Sequence, residues 1–163
     1  MRFRLIRAIV LLTTAGLVFG AASAGDEKAL LGSYRLTKRV LTDGKELKGP
    51  EVIGFMTFAK GYRTVILSWN GADGKRVSIS FFASYTLSGG KYCESETFGS
   101  NADLGTPGVT YDTPSPSPVC AAAMSDASGL AFDVPGEKMR LRVVRDGIIA
   151  TAPGWTDHWE KVK

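Results

Sequence analysis

The chain has 163 residues, with 20 Lys+Arg against 16 Asp+Glu, one histidine and two cysteines. One histidine and two cysteines make a poor ligand set for zinc, and no metal site is expected. Three of the basic residues, Arg2, Arg4 and Arg7, lie in the first 24, which leaves 17 basic against 16 acidic beyond them; no basic stripe remains to track a phosphate backbone, so nucleic acid is excluded as a partner.

In chain order, the first element is an export signal. A charged start at Arg2, Arg4 and Arg7 leads into an apolar run over 8–19, broken by Thr13, Thr14 and Gly16, and then into Ala22-Ser23-Ala24. These are the three parts of a cleavable secretory signal. The apolar run falls short of the roughly 20 residues of a spanning helix. Residues 1–24 are therefore read as a signal peptide, with no membrane anchor after cleavage, and 25–163 as the mature protein of the periplasm or exterior. Those 139 residues are the size of one domain, without a linker or an internal repeat.

Strand signals dominate the mature chain. Extended runs are expected over 31–41, 51–59 and 62–69, with turns at Asp43-Gly44 and Lys60-Gly61. The clearest alternation covers 77–87. Val77, Ile79, Phe81, Ala83, Tyr85 and Leu87 share one face, and serines and Thr86 share the other apart from Phe82. Ser88-Gly89-Gly90 turns into a strand over 91–98. Residues 105–118 hold Pro107, Pro114, Pro116 and Pro118 and read as a surface loop, because proline cannot donate to a ladder. Further strands are expected over 130–134, 139–145 and 156–162. The helical candidates are 26–31 and a turn at 121–125. About eight short antiparallel strands in meander order predict an all-β, up-and-down barrel.

Cys93 and Cys120 flank the proline-rich segment. In an exported chain an even pair is expected to form a disulfide.

Several pieces, in order, resemble the bacterial lipocalin-like domain family of small calycin-type barrels. They are Leu30-Leu31-Gly32-Ser33-Tyr34-Arg35-Leu36, Gly54-Phe55-Met56-Thr57-Phe58 with Gly61-Tyr62-Arg63, Ala83-Ser84-Tyr85-Thr86-Leu87, Lys138-Met139-Arg140-Leu141 and Trp159-Glu160-Lys161-Val162. Tyr34 stands where the family has tryptophan and Lys161 where it often has arginine. The proline-rich insert and the cysteine pair are unlike the family pattern. The resemblance implies the barrel and a small apolar ligand inside it, but no defined activity.

The cavity lining expected on that basis is Tyr34, Met56, Phe58, Phe81, Tyr85, Leu141 and Trp159. The alternative is that these side chains fill the core, leaving a non-catalytic interaction or inhibitor protein that meets a protein partner through the proline-rich loop. His158 is expected at the surface, opposite Trp159 in the alternation. Glu94 and Glu96 are read as carboxylates on a solvated face, and Arg140, Arg142 and Arg145 as an exposed strand face. No phosphate loop, nucleophile elbow or metal-ligand cluster occurs, so no catalytic residue and no cofactor is expected, and an enzyme ranks last among the readings.

Overall fold

The alternation of apolar and polar residues builds strands from Gly32 to the end of the chain. The computed structural model describes residues 20–21, 24–71, 74–102, 109–112 and 117–163. Most of the signal segment and of the proline-rich segment lies outside the described residues. The elements in order are β1 (Gly20–Ala21), α1 (Ala24–Leu30), β2 (Gly32–Leu41), β3 (Glu46–Leu47), β4 (Val52–Ala59), β5 (Tyr62–Asn70) and β6 (Arg76–Ser88). Then come β7 (Lys91–Ala102), β8 (Val109–Asp112), β9 (Val119–Asp126), β10 (Gly129–Val134), β11 (Met139–Val144), β12 (Gly147–Ala152) and β13 (Trp155–Lys161).

Ten of these strands close into one antiparallel barrel in the order β2-β4-β5-β6-β7-β9-β10-β11-β12-β13, with β13 returning to β2. β8 lies outside the ring, paired with the far end of β7, and β1 and β3 add short ladders to β9 and β2. Each ring strand pairs with its neighbour in the chain, so hairpin turns dictate the topology. At the β6–β7 hairpin, Gly89 and Gly90 both take positive φ, 57° and 73°, between the paired Ser88 and Lys91. Two consecutive positive φ values match the right-handed twist of the strands and demand glycine.

The barrel is as expected, but the count of about eight strands is corrected to ten. The two additional strands are β9 and β12. The alanine-rich stretch 121–125, expected as a helical turn, is strand because it pairs with β10 along one edge and with β7 along the other. Tertiary pairing overrides the helix preference of alanine. Part of the expected proline-rich loop is likewise strand, since β8 occupies 109–112.

The seam between β7 and β9 is short, running from Lys91 opposite Ala122 to Glu94 opposite Val119. Cys93 and Cys120 are directly opposed in that seam and joined as a disulfide. The bridge thus fastens the ladder that closes the ring. The one described helix, α1, sits across the end where β2 and β10 begin. Its Leu30 is fully buried, Tyr34 Oη donates to the Leu30 carbonyl at 2.7 Å, and Asp26 Oδ1 accepts from Ser125 at 2.7 Å. No helix among the described residues is long and apolar enough to cross a membrane.

Candidate functional site

The interior divides into two layers. Under α1 an aromatic chain runs from Tyr34 to Phe58, Tyr85, Tyr92 and Phe132, with successive ring centroids 6.4, 5.6, 5.6 and 4.2 Å apart. Edge-to-face and stacked pairs pack this layer. Burial pushes the phenols of Tyr34 and Tyr85 up to about 12, and that of Tyr92 further still.

Toward the opposite end, below the β10–β11 turn, lies a cavity of about 80 Å³. Its walls include Met56, Phe81, Leu141, Trp155 and Trp159, with Arg63, Asp157 and Glu137 at its polar edge. Of the seven side chains expected to line a cavity, Met56, Phe81, Leu141 and Trp159 meet here. Tyr34, Phe58 and Tyr85 lie instead in the packed aromatic layer. Ten strands enclose a wider interior than eight. This chain fills most of that width with aromatic rings and two buried arginines.

Arg39 is the first. It is 4 % exposed and donates from Nε and Nη2 to the two carboxylate oxygens of Asp157 at 2.6 and 2.8 Å. Its guanidinium carbon stands 4.3 Å from the centroid of Trp155 and 5.4 Å from that of Trp69. A planar, weakly hydrated cation between two indoles is the environment arginine tolerates best in an interior. Burial raises the Asp157 carboxyl above its ordinary value, and the hydrogen bond and charge of Arg39 oppose that rise.

Arg63 is the second, 1 % exposed, with its guanidinium carbon 4.4 Å from the ring centre of Phe81. Its Nε and Nη2 donate to Glu94 Oε1 at 3.1 and 2.9 Å, and Nη2 also to Glu137 Oε1 at 3.2 Å. Tyr92 Oη donates to the other Glu94 oxygen at 2.9 Å. Burial acts to lower the Arg63 pKa, but Glu94, Tyr92 and Glu137 outweigh it and hold the guanidinium above its usual value. The two carboxylates differ in setting. The Glu94 side chain is 9 % exposed, whereas that of Glu137, on the turn between β10 and β11, is 43 % exposed.

These polar groups carry no mark in the sequence, and Glu94 corrects the expectation of a solvated carboxylate face: it points into the barrel. The Glu96 side chain lies outside the described part of the structure. His158 is half-buried on the outer wall between the inward Asp157 and Trp159. Arg142 and Arg145 are exposed, and Arg140 pairs with Asp133 at 3.1 Å. Trp159 is 6 % exposed, and its Nε1–H has no hydrogen-bond partner among the described residues. No group of three or more His, Cys, Asp and Glu among those residues is placed to hold a metal.

Among the described residues, the outer wall carries an apolar region on β4 and β5. Ile53, Phe55 and Ile66 are each at least half exposed and border a shallow depression of about 570 Å³ on β4 and β5. Phe82, the exception in the polar face of β6, also points outward and stacks on Tyr62 at 5.2 Å. Compared with family models, with curated proteins and with solved structures, the chain matches none of them.

Proposed function

We propose that this is an exported barrel that binds a compact, largely apolar small molecule in its interior, with residues 1–24 serving as the secretory signal. The observation that carries the reading is the cavity of about 80 Å³ walled by Met56, Phe81, Leu141, Trp155 and Trp159, with the buried cation Arg63 at its polar edge. The disulfide suits an oxidising compartment.

The cavity also sets the ligand's size. Drug-sized ligands occupy roughly 300–1,000 Å³, so fatty acids, retinoids and polyprenyl compounds are too large. Tryptophan fluorescence, titrated with benzyl alcohol and with palmitate, tests this. Saturable quenching or a blue shift is expected with benzyl alcohol and none with palmitate. A flat response to benzyl alcohol and to similar single-ring compounds overturns the reading. Intact mass of the exported protein tests the signal, with Gly25 expected as the first residue.

A second reading, an interaction protein with a filled barrel, is favoured by the exposed Ile53, Phe55 and Ile66 rather than by the proline-rich loop. Contiguous exposed apolar side chains of this kind mark contact surfaces.

A further inference from the structure

We propose that the ligand is a small monocarboxylate, whose carboxylate takes the place of Glu137 on Arg63 while its apolar body occupies the adjoining cavity. The inference rests on the interior-binding reading and adds the ligand's chemical class.

Arg63 is a buried cation with two carboxylate partners of unequal burial. Glu94 is held on three sides: by Nε and Nη2 of Arg63, by the Tyr92 hydroxyl, and by the β7 ladder that carries it. Glu137 makes the longer contact, to Nη2 at 3.2 Å, and reaches it from the four-residue turn 135–138, where its side chain is 43 % exposed. A residue on such a turn can swing toward water without breaking a strand ladder.

The exchange balances in charge. One carboxylate leaves the guanidinium and another arrives, so the interior holds the same net charge before and after. Arginine's planar fork is matched to carboxylate geometry. The cavity begins at the same place, since Arg63, Glu137, Phe81 and Trp159 all border it. A ligand seated on Arg63 therefore projects its body between Phe81, Met139 and Trp159. An engineered cavity of about 150 Å³ accepts benzene. The 80 Å³ here, with the space left by the Glu137 side chain, suits a body of one ring or a short branched chain. On this view Glu137 occupies the ligand's polar subsite in the empty protein.

The test uses benzoate and its neutral counterpart benzamide, with calorimetry and tryptophan fluorescence on the wild type, Glu137→Gln and Glu137→Ala. Wild-type protein is expected to prefer benzoate. Both variants remove the competing carboxylate, and each is expected to bind benzoate about tenfold more tightly, the gain when a competent state rises from about a tenth to full population. Benzamide affinity is expected to stay unchanged in Glu137→Gln, which removes the charge and keeps the side-chain volume. Benzoate binding that weakens or stays level in both folded variants overturns the proposal. So does equal affinity of the wild type for benzoate and benzamide. Those two results leave interior binding standing. Failure of benzoate, benzamide and benzyl alcohol alike removes interior binding itself.

Discussion

At the scale of single residues, the interior is governed by what each side chain leaves for its neighbours. Gly54 illustrates a steric limit. A Cβ there would lie 2.8 Å from Trp159 Cη2 and 2.9 Å from Leu67 Cδ1. The far edge of the indole that walls the cavity thus lies close against the β4 backbone. Gly54→Ala is expected to displace that ring and to cost about 1–3 kcal/mol, the usual range for overpacking, read as a lower urea midpoint with an altered fluorescence maximum. An unchanged midpoint and spectrum would show that the ring is not wedged there. The Arg39–Asp157 pair illustrates an electrostatic limit. Removing one partner strands a buried charge, at about 3–5 kcal/mol, whereas replacing both with apolar residues is often nearly neutral. Arg39→Met alone is therefore expected to destabilise far more than Arg39→Met combined with Asp157→Leu, in a denaturant cycle. Equal losses for the two would mean that the pair is not the main contribution. None of this pairing is legible in the chain. Leu36 and Tyr34 fix the inward face of β2 as the even-numbered one, which assigns Arg39 to solvent. The strand, however, is bulged opposite the step from His158 to Trp159, and Thr37 is the extra residue. One inserted residue moves all later side chains of the strand to the other face, so Arg39 turns inward. Glu94 escapes the sequence pattern for a related reason. Its alternation with Tyr92 is visible, but which face is wet depends on a buried arginine 31 residues earlier.

At the scale of elements, turn chemistry carries most of the fold. Asp43-Gly44, Lys60-Gly61, Ser88-Gly89-Gly90 and Pro135-Gly136 each end a strand where the structure ends one, because positive φ at Gly44, Gly61, Gly89, Gly90 and Gly136 is something only glycine adopts freely. The strands that stay hidden are those without a period-two signature. β9 reads Val-Cys-Ala-Ala-Ala-Met-Ser-Asp and β12 reads Gly-Ile-Ile-Ala-Thr-Ala. Both are held by ladders on their two edges rather than by propensity. At the closing seam the ladder is short, and the disulfide compensates. Cys93 and Cys120 are 27 residues apart, and linking them is worth about 3–4 kcal/mol through the restricted unfolded chain. The double variant Cys93→Ala with Cys120→Ala is expected to lose about that much in guanidinium unfolding, and reducing agent should lower the wild type to match. Wild-type stability indifferent to reductant would show that the seam holds without its bridge.

At the scale of the whole molecule, the aromatic layer beneath α1 couples burial to alkaline pH. The chain has five tyrosines, and three of them, Tyr34, Tyr85 and Tyr92, are at most 3 % exposed within that layer. In each, burial is the largest cause of a raised pKa; Tyr34 and Tyr85 reach about 12 from an unfolded value of 10.0. The sign follows from proton counts. Between pH 10 and 12 the unfolded chain has released these protons and the folded barrel still holds them. The unfolded state therefore binds fewer protons, and stability falls as pH rises through that window. Below about pH 10 both states are protonated at these sites, and their contribution is fully present. Absorbance at 295 nm should then show no more than two tyrosines ionised near pH 11 while the fold persists. The remaining three should appear together at higher pH, in step with loss of the far-ultraviolet strand signal. Denaturant midpoints at pH 9 and 11 should differ in the same direction, lower at 11. Five tyrosines ionising as one group near pH 10 in a folded protein would mean that water reaches this layer, and α1 could not then be sealing that end of the barrel. None of these tyrosines lines the cavity, although Tyr92 reaches its Arg63 through Glu94. Ligand affinity measured at pH 7 and pH 9 should be the same, because all three phenols keep their protons throughout that range.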